Sequence, residues 1–331
     1  MLAHAPFDLP EADVRDPGII SANAWAVAPE HSTTCAALHL HHPHPAFGSL
    51  PPWSHAHRLA ARDQLAGATI YGLPVLLVGH NELLGWSLAP NKADVADLYD
   101  ENNFQHLKSL ERYHDVYFKS GDTLEKHIVT TWYSGDNGPI VATNMGRPLA
   151  WKVGGYGNFT TLNQLLAMGR ATNIESFVNA LNADALHALN VVYADIEGNI
   201  YCAYNAVTGM RPAQPLQAAG NAERTIWEKP VPAYTPGFKW EDPLPASVLP
   251  AIDNPLPGYI VGSGTPPSGI ATNVERYFDP TLAWLIRDPD SRRAQRTREL
   301  FDRGPRSFLD MQSLLFDHAV PEAEPAVDFL L

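Results

Sequence analysis

Four histidines offer the first chemistry that residue spacing allows. In "HLHHPHP", His39 and His41 would share one face of a strand, and His55 and His57 follow in "SHAH". Imidazoles hold zinc when three or four ligands converge, and His-x-His alone does not reach that number. A histidine-rich strand edge is therefore the expected role. His44 ends the run; an imidazole titrates near neutrality and suits either substrate orientation or general-base work. Cys35 and Cys202 are the only cysteines. They cannot build a disulfide framework and have no metal spacing, so buried apolar thiols are expected. The basic run "RDPDSRRAQRTREL" interleaves acids at helical spacing and predicts a solvated helix face.

Those side chains need a scaffold, and the hydropathy pattern supplies one. β-like runs bounded by Pro, Gly, Asn and Asp occur in "NAWAVAP", "AALHLHH", "ATIYG", "PVLLVG", "GWSLA", "HIVTTWYS" and "PIVATN". "TTLNQLLAMGRA" and "NIESFVNALNADAL" place apolar residues three and four apart and predict helices, the second capped by Asn173 with Ser176 in its first turn. "NVVYADIEGNIYCAYN" reads as a hairpin about "DIEGN". Residues 211–258 are proline-rich and predict a long ordered surface excursion. "GYIVGSG" is the last expected strand, and two helices are expected within 291–318. Residues 1–20 read as an irregular arm, residues 21–331 as one domain with a loose tail. Strands, then helices, then strands predict an α+β layered fold.

With 331 residues and 45% apolar side chains, the chain can bury a large core. Its net charge of −13 disfavours nucleic acid and anionic membranes. The N-terminus has no basic start followed by an apolar run, and no run is long enough to span a bilayer. A soluble, cytoplasmic protein is expected.

Six segments carry a resemblance. "SANAWAVAP", "HHPHPAFGSLPPWSHAH", "YGLPVLLVGHNELLGWS", "ADVADLY", "GDNGPIVA" and "NVVYADIEGNIY" occur in this order. Together, from Ser21 to about residue 320, they resemble the catalytic chain of the penicillin acylase family. The resemblance implies an N-terminal-nucleophile hydrolase fold, a four-layer αββα sandwich, truncated relative to family members. Such proteins cleave themselves to expose a serine whose own α-amine accepts its proton, an amine with a pKa near ~8.

Carried onto this sequence, the resemblance puts Ala22 in the nucleophile slot, directly before Asn23, Ala24 and Trp25. The downstream "HPH" segment, ending at His44, agrees with Ala22 as position one. Ser21 is the nearest hydroxyl, one residue early, and a one-residue slip in a strand turns a side chain to the other face. The resemblance implies two oxyanion donors. One is the side chain of Asn190. The other is a backbone N–H at Pro90, which has none to give; Asn91 would supply it only through a second slip. Trp25, Trp53 and Trp86 are expected as core or pocket-wall aromatics. Asp94 and Asp97 match calcium-holding positions, although two carboxylates are not a full shell and capping of a turn is the plainer role. No other cofactor is implied.

The family motif H-G-P reads Asn137-Gly138-Pro139 here, and "GYI" is followed by Val261-Gly262-Ser263-Gly264. Three functions are open to such a chain. One is hydrolysis of an N-acylated small molecule, with Ser21 or a water attacking and Asn190 stabilising the oxyanion. Another is non-hydrolytic chemistry in small-molecule, natural-product biosynthesis, using His44 and Asn190 on a bound ligand with an acyl or aromatic group. A third is a non-catalytic partner of another acylase chain, with a second polypeptide or self-association covering the missing family regions.

Overall fold

Small residues at every second position of the first strand set how the layers meet. The computed structural model describes residues 21–44, 53–60, 63–101, 110–212, 227–274, 280–319 and 323. The expected N-terminal arm and most of the tail lie outside these residues. Strand β1, Ser21–Val27, is the centre of a three-stranded antiparallel sheet, between β2 (Leu38–His44) and β16 (Tyr259–Val261). His39 on β2 is the register partner of Ala26 and reaches Ser87 on a facing sheet. By alternation Ala22, Ala24 and Ala26 look the same way. Their methyls, with Ala89, Val192 and Cys202, form a buried apolar core between the two sheets. Gly262 completes the close approach: a Cβ there would stand 2.4 Å from Val192 Cγ2.

The facing sheet has seven strands in the order β15-β13-β12-β6-β5-β4-β3. They span Ala251–Asp253 (β15), Ile200–Asn205 (β13), Leu189–Asp195 (β12), Leu84–Pro90 (β6), Val78–His80 (β5), Asp63–Ile70 (β4) and Trp53–Ala60 (β3). Its far face is covered by α1 (Thr161–Arg170) and α2 (Ile174–Leu181). Leu165, Met168, Phe177 and Leu181 there pack on Trp86, Val191 and Tyr193, with the Phe177 and Tyr193 rings 4.8 Å apart. Asn173 caps α2 as expected, and Ser176 returns the bond as a reciprocal pair. On the other side of the molecule, α3 (Arg292–Phe301) and α4 (Phe308–Leu314) cover the three-stranded sheet. Phe301 meets Trp25 edge-on at 5.8 Å and stacks on Tyr259.

Helices, seven strands, three strands and helices are the four layers of an αββα sandwich. A third sheet lies beside it, ordered β14-β7-β11-β10-β9-β8. It comprises Val231–Pro232 (β14), Ala96–Asp100 (β7), Arg147–Val153 (β11), Gly138–Asn144 (β10), Thr123–Ser134 (β9) and Leu110–Ser120 (β8). Of its strands, the predicted runs "HIVTTWYS" and "PIVATN" fall in β9 and β10, whereas β7, β8 and β11, which lack clean alternation, were not foreseen. Cys35 also departs from expectation. It sits exposed at a left-handed backbone position, whereas Cys202 is buried and its thiol is pushed up to about 12. No helix among the described residues is long and apolar enough to cross a membrane.

Candidate active site

The sequence-predicted residues lie on β1 (Ser21, Ala22, Asn23), at the end of β2 (His44), at the end of β6 (Pro90) and near the start of β12 (Asn190). Along β1, Ser21 is the register partner of His44, Ala22 of Pro43 and Asn23 of His42. Ala22 is 4% exposed and belongs to the inter-sheet core, so residue 22 presents a buried methyl and no hydroxyl. Asn23 is also buried, and its Oδ1 has no hydrogen-bond partner. Trp25 donates from Nε1 to Ser263 Oγ at 3.0 Å.

Asn190 lies on β12 opposite Ala89, fully buried. Its Nδ2 donates to the Thr265 carbonyl at 3.1 Å, and its Oδ1 accepts from Asn91 Nδ2 at 3.3 Å. The amide is thereby fixed in orientation, with one of its two N–H groups committed. Asn91 is committed as well. Its backbone N–H donates to the Ala188 carbonyl at 3.1 Å, and its Oδ1 accepts from Ala93 N. The slip to Asn91 therefore finds an N–H already in use. Pro90 sits at the end of β6 opposite Leu189. Because the amide at 91 points toward the β12 side, position 90 points to the opposite edge. Strand β5 pairs with that edge only at Trp86 and Gly85.

The three tryptophans do not converge. Trp25 faces α3, whereas Trp86 faces α1 and donates to the Leu77 carbonyl at 2.9 Å. Trp53 packs at the rim of that second core and lies 6.1 Å from the His41 ring. A cleft of about 690 Å³ lies on the side sheet, lined by Tyr133, Trp151, Lys152, Tyr156 and Trp240 among others. Neither Ala22 nor Asn190 lines it.

His39, expected as part of a histidine-rich strand edge, instead makes a contact between sheets. Its Nε2 lies 2.7 Å from Ser87 Oγ, tying β2 to β6. Enclosure of the ring lowers its pKa to about 4; a backbone hydrogen bond at Val192 opposes the shift and His80 adds to it. An imidazole in the unfolded chain titrates near ~6.5. The unfolded state therefore takes up the proton first, and stability is lost as pH falls from that value toward about 4. We expect urea midpoints to drop over this window, and His39→Gln to remove part of that drop. Parallel pH profiles of the two proteins would sink this account of His39. Among the described residues no three His, Cys, Asp or Glu side chains converge as a metal site.

Asp94 and Asp97 meet arginines. Asp94 Oδ1 accepts from Arg211 Nη2 at 2.6 Å, and its Oδ2 from Arg287 Nη2 at 2.6 Å. Asp97 Oδ2 accepts from Arg211 Nε at 2.8 Å and from Trp240 Nε1 at 2.6 Å. Burial pushes the Asp97 carboxyl above its ordinary range, opposed by Arg211. Sequence reading missed Arg211, 117 positions from Asp94, and assigned Arg287, 193 positions away at the head of the basic run, to a solvated helix face; it precedes α3 and pairs with Asp94.

With this geometry in place, comparison with known proteins identifies the scaffold. Residues 4–330 match the Penicillin amidase family. The chain belongs to that family. It is 22% identical over 321 residues to the acyl-homoserine lactone acylase QuiP of Pseudomonas syringae pv. tomato, covering 92% of this chain and 36% of the relative. It is 25% identical over 263 residues to penicillin G acylase of Escherichia coli, covering 75% of this chain and 29% of that one. Among solved structures, a thermostable penicillin G acylase from Alcaligenes faecalis superposes with a TM-score of 0.67 at 19% identity, covering 88% of this chain and 51% of that chain. The penicillin amidase sandwich is thus the fold, of N-terminal-nucleophile type. The chain spans about a quarter to a third of the length of the curated relatives it matches.

Proposed function

We propose that this penicillin-amidase chain binds an N-acylated small molecule and does not hydrolyse it through residue 22. The observation that carries the reading is the buried Ala22 methyl in the slot where the resemblance implies a nucleophile. The commitment of the Asn91 N–H to Ala188 and the lack of any N–H at Pro90 support it from the oxyanion side. The relatives' names, acyl-homoserine lactone acylase and penicillin G acylase, point to an N-acyl amide as the ligand class. On this reading His44 and Asn190 contact the ligand, in a binding or non-hydrolytic biosynthetic role. A second reading rests on Ser21, the hydroxyl nearest the slot and the register partner of His44: cleavage before Ser21 would make that residue the terminal nucleophile.

Intact-mass spectrometry with a thermal-shift assay separates the two. A full-length mass, allowing for loss of Met1, with stabilisation by an N-acyl homoserine lactone or penicillin G and no acyl release, is the expected result. A mass lacking residues 1–20, together with release of the acyl group, would overturn the proposal in favour of Ser21. The absence of any ligand-dependent shift would remove the binding claim.

A further inference from the structure

The cluster at Asp94 and Asp97 departs from what its sequence position suggests. A calcium shell takes six to eight oxygens at about 2.3–2.6 Å. Here three of the four carboxylate oxygens accept hydrogen bonds from guanidinium nitrogens: Asp94 Oδ1, Asp94 Oδ2 and Asp97 Oδ2. The Asp94 backbone carbonyl is also occupied, by Arg211 Nη1 at 3.1 Å. Protonated nitrogens cannot ligate a cation, so the residues around these carboxylates do not fit calcium. The guanidinium of Arg211 has its own built seat. Its side chain is 3% exposed, and its central carbon lies 4.4 Å from the Trp284 ring centroid, 5.4 Å from Trp240 and 5.5 Å from Trp227.

We propose that Arg211, with Arg287, takes the place of a divalent cation at the junction of β6, β7 and the 280s segment. Two guanidinium groups carry the charge of one such ion, and the fold needs no calcium. Removing Arg211 leaves Asp97 buried with both oxygens short of a cation, since its Oδ1 already lacks a hydrogen-bond partner. Such a site would recruit the ion that the native chain dispenses with. The inference is independent of what the protein binds elsewhere.

The test uses the full chain. Elemental analysis of the purified protein should find no stoichiometric calcium, and neither EDTA nor millimolar calcium should move its Tm. Arg211→Ala should lower Tm by roughly 5–10 °C, the expected scale for breaking a buried ion pair. Millimolar calcium should restore at least half of that loss in the variant, and magnesium less. Calcium bound to the wild type, or an EDTA-sensitive wild-type Tm, overturns the proposal. So does a variant as stable as the wild type, or a destabilised variant indifferent to calcium. If Arg211→Ala fails to fold, the elemental analysis and the EDTA series on the wild type decide.

Discussion

Ala22→Ser alone is expected to leave amide hydrolysis at or near background, even when residue 22 is made the N-terminus by removal of residues 1–21. The hydroxyl would supply a nucleophile and the new α-amine a base with a pKa near ~8. If position 90 is the donor position that the resemblance implies, the oxyanion would still lack its second donor, because Pro90 carries no N–H and the Asn91 N–H is held by the Ala188 carbonyl. Adding Pro90→Ala supplies an N–H that points to the edge β5 leaves largely uncovered. The double variant should therefore exceed the single one by about 10²–10³ in kcat, the usual worth of one oxyanion donor. Acyl release from N-acyl homoserine lactones or penicillin G, followed by mass spectrometry, measures it. Equal rates in the two variants would show that position 90 is not the donor position. Two inactive variants would place the slot elsewhere than residue 22.

Trp25→Ala should be the most damaging single substitution in the β1 layer, costing about 3–5 kcal/mol of folding stability. Trp25 is almost fully buried between β1 and α3, with Phe301 against it at 5.8 Å. Truncation loses this contact area and opens a cavity that neither a sheet nor a capped helix can close. It also removes the donor to Ser263 Oγ. Trp25→Phe keeps most of the volume and loses the hydrogen bond, so it should recover more than half of the loss. Urea unfolding with an unchanged m-value is the measurement. A loss under about 1 kcal/mol for the alanine variant would mean that α3 does not pack on β1 as described.

Much of this was legible in the sequence, for local reasons. β1, β6, β12 and β13 are short apolar runs ending at turn residues, and α2 announces itself through Asn173 and Ser176. Ala22, Pro90 and Asn190 could be singled out because the resemblance rests on motifs that remain contiguous in the chain. What stayed hidden depends on distance or on exposure. β8 and the first residues of β9 form a ribbon with Tyr113, Tyr117, Leu124 and Ile128 exposed, so no buried face imposes a period of two there, and only the later part of β9, "HIVTTWYS", reads as a strand. β7, "ADLYD", is short, carries an Asp at its second and last positions, and is fixed as a strand by pairing with β11 on one side and β14 on the other. Asp94 and Asp97 could be singled out, but nothing local indicates which cation would face them.

That last cluster also bears on how quickly the chain comes apart. Its links close over 114 positions, from Arg211 to Asp97, and over 193, from Arg287 to Asp94. Contacts of such separation are costly to close early, so they are expected to form after the rate-limiting step of folding. Arg287→Gln should then speed unfolding severalfold and leave the refolding rate nearly unchanged. A chevron in which the refolding arm moves instead would place the cluster in the folding nucleus. With late closure, the guanidinium pair acts as a latch on lifetime: it sets how long the native state persists, with little influence on how fast it is reached.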